Sequence, residues 1–172
     1  MINVPVAASE ERVEFDALFA AYYARLARVV YRVTGDTGRA EEIAAEAFWR
    51  LHRNPPRERT NVEGWLYRTG LRLALDQLKK DRRRARYEVL AIFKPAPRPD
   101  RELEQKQEAE KVRRTLAALK IEQVGLLLLR ADGFSYAEIA AKLNLNAASV
   151  GTMLARAEAA FRKEWVKRYG EP

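Results

Sequence analysis

Cysteine is absent from the 172 residues, which excludes disulfides, thiolate metal sites and thiol chemistry. Histidine occurs once, as His52, so a histidine metal centre or a Ser/His/Asp triad lacks its usual residues. There is no glycine-rich phosphate loop. The carboxylates Glu41, Glu42 and Glu46 have no histidines beside them to complete a di-metal site. The longest aliphatic run, Leu126 to Leu129, is far too short to cross a bilayer. The opening MINVPVAASEERVE lacks the basic start and hydrophobic stretch of a signal peptide. These absences predict a non-enzymatic protein of the cytoplasm, with no cofactor, no metal, no small-molecule substrate and no membrane insertion.

What is present is charge and helical periodicity. Hydrophobic residues make up 48% and charged residues 33% of the chain, proportions that suit a folded, helix-rich protein. The net charge is +8 and the pI about 9.9, which favours an acidic partner, most commonly nucleic acid.

The periodicity predicts an all-α chain of two small helical domains joined by a flexible linker. After a loose tail over residues 1–10, Phe15, Leu18, Phe19, Tyr22, Leu26, Val29, Val30 and Val33 form one stripe of a first helix from Glu11 to about Val33. Gly35-Asp36-Thr37-Gly38 breaks it, and Asp36 or Thr37 can cap a second helix, buried along Ala40, Ile43, Ala44, Ala47, Phe48 and Leu51. The outer face of this helix carries Glu41, Glu42 and Glu46, with Trp49 a turn further on. Such a strip is a solvated face or a docking strip for a basic protein. RNPPRER cannot be helical across its prolines. Thr60 and Glu63 read as a capping box for a third helix that runs toward Arg86 and ends in the basic run KKDRRRAR. That run is a solubilising surface or a track for phosphates, the latter favoured by Arg68 and Arg72 on earlier turns.

Between Tyr87 and about Glu110 the pattern fails. Three prolines fall within Pro95–Pro99 and a polar, charged run follows, the composition of a linker that is extended first and helical later. Helices over Val112–Leu119 and Glu122–Ala131 then precede DGFSYAEIAAKLNLNAASVGTMLARAEAAFR. Ser135 with Glu138 forms a capping box there. Tyr136, Ile139, Ala140 and Leu143 make an apolar face, Asn144 suits a left-handed turn, Leu145 plugs it, and Asn146 caps the last helix. That helix buries Val150, Leu154, Ala157 and Phe161 and presents the small residues Ala148, Gly151, Thr152 and Ala155 opposite. A face of that kind can lie close to another surface. The pattern fits a helix-turn-helix in a DNA major groove, and equally a helical hairpin within a bundle.

On these residues the chain resembles a bacterial RNA polymerase sigma factor of the extracytoplasmic function (ECF) subfamily. AEEIAAEAFWRLHR and NVEGWLYRTGLRLALDQLKKDRRR resemble sigma region two, and LLLLRADGFSYAEIAAKLNLNAASVGTMLARAEAAF resembles region four. The resemblance implies a region-two domain over 11–87, a linker over 88–110 and a region-four domain over 111–170. It implies a protein that binds core RNA polymerase, recognises promoter DNA and starts transcription, restrained by an anti-sigma factor. Glu41, Glu42, Glu46 and Trp49 match the polymerase-docking helix. Arg57, Arg59, Asn61, Trp65, Arg68, Arg72, Lys79, Lys80, Arg82 and Arg83 fall where the family holds the opened minus-ten element. Arg130, Lys142, Ser149, Thr152 and Arg156 fall where it meets the minus-thirty-five element. Two departures bear on base-level reading: Gly70-Leu71-Arg72 stands where the family commonly has Ala-Arg-Asn, and Gly151 and Met153 stand where many members have Lys and Arg. An autonomous helix-turn-helix regulator that binds duplex DNA without polymerase, and a helical adaptor that binds only proteins, are the alternatives.

Overall fold

The computed structural model describes residues 6–57, 59–88 and 101–171, the side chains of 6–13, 59, 85–88 and 101–103 excepted. The fold is all-α, with no strand among the described residues: α1 (Val6–Thr34), α2 (Thr37–Arg53), a 3-10 turn (Arg59–Asn61), α3 (Val62–Glu88), α4 (Arg101–Leu116), α5 (Ile121–Ala131), α6 (Tyr136–Leu143) and α7 (Ala147–Tyr169). Helix α1 begins five residues earlier than expected. Helix α4 begins inside the stretch assigned to the linker, whose residues 89–100 lie outside the described residues, as do residues 1–5 of the expected tail.

The first three helices pack as their periodicity requires. Leu26, Val29, Val30 and Val33 are fully buried on α1, each contributing about 1.5–3 kcal/mol of transfer free energy against an exposed reference. All six core positions expected on α2 are buried. Asp36 caps that helix, its Oδ1 accepting from Arg39 N at 2.7 Å. Gly35 at the break has φ +69°, a backbone conformation that favours glycine, and the Arg113 guanidinium of α4 lies 2.6 Å from where a Cβ would stand. Phe19 departs from the expected stripe: it is 40% exposed and stacks on Tyr23 with centroids 4.5 Å apart.

The start of α3 corrects the sequence reading. Asn61, not Thr60, supplies the cap, its Oδ1 accepting from Gly64 N at 2.8 Å, because the 3-10 turn over Arg59–Asn61 takes in Thr60 and leaves Asn61 immediately before α3.

In the C-terminal half the turn chemistry holds throughout. Ser135 and Glu138 exchange reciprocal hydrogen bonds, Glu138 Oε2 accepting from Ser135 N at 2.8 Å and Ser135 Oγ accepting from Glu138 N at 3.3 Å. Asn144 sits at φ 58°, ψ 51°. Leu145 N donates to Ala140 O at 2.8 Å and Asn144 N to Ala141 O at 3.4 Å, the paired bonds of a Schellman turn. Asn146 caps α7 through Ala148 N at 2.9 Å. Tyr136 is the exception on the α6 face, 45% exposed with the Arg130 guanidinium 5.4 Å from its ring centroid.

The two halves do not keep separate cores. Their buried side chains form one contiguous cluster, joined where α6 and α5 meet α3. Gly125 allows this approach: a Cβ there would lie 2.9 Å from Leu143 of α6 and 3.5 Å from Leu71 of α3.

Candidate nucleic-acid interface

Three surfaces carry the residues singled out by sequence. On α2, Glu41, Glu42 and Trp49 are exposed and Glu46 is half-buried. The acidic character is partly neutralised within the helix: Arg39 pairs with Glu42 at 3.3 Å and Arg50 with Glu46 at 2.7 Å. Trp49 is 54% exposed and leans on His52, centroids 6.1 Å apart. An exposed tryptophan beside carboxylates combines apolar contact area with directional charge, which is the composition of a protein-docking anchor. Beneath it, Phe48 is enclosed by Phe15 (6.0 Å), Phe19 (5.0 Å) and Tyr23 (6.2 Å), an aromatic layer that holds α2 rigidly on α1.

On α3, Arg72, Lys79, Lys80 and Arg83 are exposed and Arg82 half-buried, so the basic second half of the helix is accessible to an acidic partner. Arg57 is exposed on the preceding loop. The side chain of Arg59 lies outside the described residues. Trp65 is half-buried against the core.

The first half of α3 is occupied differently from expectation. Asn61 Nδ2 donates to Ala141 O, and Arg68 donates to Lys142 O at 3.0 Å, so both serve the C-terminal carbonyls of α6 in this arrangement. The direction is physically sensible, since the last carbonyls of a helix lack intrahelical donors and attract positive charge. Burial lowers the pKa of the Arg68 guanidinium from its ordinary value. Lys142, expected as a free phosphate contact, is 5% exposed. Its ammonium meets Glu63 Oε1 at 2.6 Å and lies 4.5 Å and 5.4 Å from the ring centroids of Phe134 and Tyr67. A lysine is rarely buried unless paired, and Glu63, named above only as a capping residue, is the partner. Tyr67, absent from the sequence reading, is fully buried edge-on to Phe134 at 6.0 Å. Its hydroxyl has no hydrogen-bond partner, and burial, then the Glu63 carboxylate, raises its pKa far above the usual phenol value. Its place on α3 gave no local signal, because the ring that covers it comes from the other half of the chain.

On α7, Ser149, Thr152 and Arg156 are exposed along one side, while Val150, Leu154 and Ala157 are buried on the other. Arg130 is exposed near the same end of the domain and donates to Phe134 O at 3.3 Å. Ala148 and Ala155 are exposed beside them, whereas the half-buried Gly151 faces the Tyr136 ring of α6, 3.4 Å from where a Cβ would lie.

Comparison with known proteins assigns this arrangement. The model of Sigma-70 region 2 matches residues 18–84 and that of Sigma-70, region 4 matches residues 109–161, in the order and positions of the two helical halves. The chain belongs to the sigma-70 family of bacterial RNA polymerase sigma factors, and within it to the ECF group. It is 27% identical over 164 residues to the ECF RNA polymerase sigma factor SigE of Mycolicibacterium smegmatis, covering 91% of this chain and 63% of that protein. It is 37% identical over 78 residues to the probable ECF RNA polymerase sigma factor SigI of Mycobacterium tuberculosis, covering 45% of this chain and 27% of the relative. The chain thus spans less than two thirds of the length of these curated relatives. Its fold is similar to that of the sigma factor RpoE, solved in complex with the anti-sigma factor NepR from Bartonella quintana, with a TM-score of 0.51, 16% identity, and coverage of 91% of this chain and 98% of that one.

Proposed function

We propose that this protein is a promoter-specificity subunit that joins core RNA polymerase, recognises promoter DNA and helps initiate transcription, without catalysis of its own. The observation that carries the reading is the ordered pair of sigma regions on a single all-α chain, each with an exposed surface of suitable chemistry. The region-two domain spans 11–87, a linker 88–110 and the region-four domain 111–170. The α2 strip of Glu41, Glu42, Glu46 and Trp49 docks on the polymerase. The basic side of α3, with Arg72, Lys79, Lys80, Arg82 and Arg83, follows the backbone of the opened minus-ten element, and Arg57, Arg59, Asn61, Trp65 and Arg68 hold the strand at its upstream end. Extruding and holding a base there costs a few kcal/mol, offset by a preformed pocket. Ser149, Thr152 and Arg156 read the minus-thirty-five element in the major groove, with Arg130 and Lys142 toward its phosphates. With so many small side chains on α7, DNA shape contributes alongside base contacts. The protein acts in the cytoplasm and is restrained by an anti-sigma factor.

The test is run-off transcription with core polymerase from the same bacterium on sheared genomic DNA, with and without the protein, at fixed salt because phosphate contacts weaken steeply as salt rises. Discrete start sites that appear only with the protein support the reading. Tight duplex binding by the protein alone, with polymerase indifferent to it, refutes the reading in favour of an autonomous regulator. Binding to polymerase without initiation refutes it in favour of an adaptor.

A further inference from the structure

Helix α7 runs to Tyr169, past residue 161, where the match to Sigma-70, region 4 ends. Its last turns are held on the inner side by an aromatic ladder. Phe161, Trp165 and Tyr169 recur at i, i+4 and i+8 and pack ring on ring, with centroids 5.9 Å and 5.1 Å apart. All three are half-buried, and the Lys111 ammonium of α4 lies 5.7 Å from the Tyr169 ring centroid. Glu164 holds Arg168 at 3.3 Å on the same side. A helix end without tertiary contacts frays, whereas this one is fixed against α4.

The outer side of these turns continues the line of residues proposed to meet DNA. Ser149, Thr152, Arg156, Ala159, Lys163 and Lys167 stand at i, i+3, i+7, i+10, i+14 and i+18, and all are exposed. That spacing keeps them on one side of a helix. Glu158 and Glu164, the acidic residues of α7, project from other sides. Lys163 makes no hydrogen bond or ion pair among the described residues. Lys167 pairs loosely with Glu164 at 3.7 Å, its side chain 73% exposed, and an exposed pair of that kind is cheap to break. Along the axis, Lys163 and Lys167 lie about 10 Å and about 16 Å beyond Arg156. In a helix-turn-helix the N-terminal residues of the second helix meet base edges. Cations displaced this far toward the C-terminus meet the sugar-phosphate edge of the groove instead.

We infer that Lys163 and Lys167 hold the phosphate backbone of duplex DNA flanking the minus-thirty-five element, and that Phe161, Trp165 and Tyr169 position them for it. The inference rests on the functional reading above for the base-facing end of α7, and it lengthens the DNA contact beyond the family match. Contacts of this kind carry no sequence information. They add affinity and salt dependence, and they fix the register of the helix in the groove. Ser149 and Thr152 are uncharged and Arg156 brings one cation, so the base-facing end has little with which to hold phosphates. The lysines of the extension supply that charge.

The test is a titration of the full chain against a fluorescent mixed-sequence duplex of about 30 base pairs, repeated from about 0.05 to 0.2 M salt. Lys163→Ala combined with Lys167→Ala should make log affinity against log salt shallower by about 1.8, for two phosphate contacts at about 0.9 each. Affinity at about 0.1 M salt should fall at least about tenfold. Arg162→Ala removes an exposed cation of the same turns that stands off the line, and it should move the slope by less than about 0.3. If the alanine pair fails to fold by circular dichroism, Lys163→Gln with Lys167→Gln keeps the side chains long and serves in its place. A slope unchanged by the lysine pair overturns the inference. An Arg162→Ala effect as large as that of one lysine also overturns it, since net charge alone would then account for the loss. So does unchanged duplex binding with weaker polymerase-dependent transcription, which would assign the lysines to a protein partner. The titration contains no polymerase, so these results leave the sigma reading standing. That reading fails instead if the unsubstituted protein gives no polymerase-dependent start sites, whatever the slope.

Discussion

Replacing Asn144 by valine puts the strongest constraint in the helix-turn-helix to the test. Its backbone is at φ 58°, ψ 51°, a region that costs an ordinary L residue roughly 1–2 kcal/mol and that a β-branched side chain resists more than most. The chain cannot evade the strain cheaply. Unwinding the turn would break the bonds from Leu145 N to Ala140 O at 2.8 Å and from Asn144 N to Ala141 O at 3.4 Å, each worth about 1 kcal/mol net, and would withdraw Leu145 from the core. The expected loss for Asn144→Val is therefore about 2 kcal/mol, or roughly 4–8 °C in Tm for a chain of this size. Asn144→Gly frees the backbone but also loosens the unfolded chain, so it should fall within about 0.5 kcal/mol of the parent. Urea titrations of the three proteins, with thermal scans alongside, measure the series. A valine variant within about 0.5 kcal/mol of the parent, or a glycine variant less stable than the valine one, would refute the reasoning. Because the turn sets the direction of α7, duplex binding through Ser149, Thr152 and Arg156 should fall with stability in the valine variant and not in the glycine one.

Three further outcomes follow from the same geometry. Tyr67→Phe removes a buried hydroxyl that has no partner and should leave stability unchanged or raise it by about 1 kcal/mol; a loss above that in chemical denaturation would mean the hydroxyl is satisfied in solution. Trp49→Ala, at a position 54% exposed, should change stability by about 0.5 kcal/mol or less. It should nonetheless weaken binding to core polymerase at least about tenfold, or 1.4 kcal/mol, measurable by fluorescence titration. The bonds from Ser135 to Glu138 hold the Glu138 carboxyl below its ordinary pKa of 4.5, so its contribution is present above that pH and is lost as pH falls through the lower folded value. The difference in urea midpoint between the parent and Ser135→Ala should accordingly narrow below about pH 4.5 and stay constant above it.

What the sequence alone determined was local. The α2 core positions, the Ser135–Glu138 box, the left-handed Asn144 and the Asn146 cap all depend on residues within a turn or two of one another. Helical period and side-chain capping therefore express them without help from the rest of the chain. The exposed strips on α2, the second half of α3 and α7 were legible for the same reason, being the complements of apolar stripes. Tertiary structure decided the rest. Thr60 was the cap expected for α3 until the 3-10 turn gave that place to Asn61, and the start of α4 at Arg101 followed no apolar period. Lys142 reads in sequence as a surface cation, and Tyr67 has no place in the sequence reading at all. Lys142 is buried because Glu63, 79 positions away in the chain, pairs with its charge, and Tyr67 because Phe134 covers it. No local period encodes a pairing at that distance; only the packing of α6 on α3 brings the partners together.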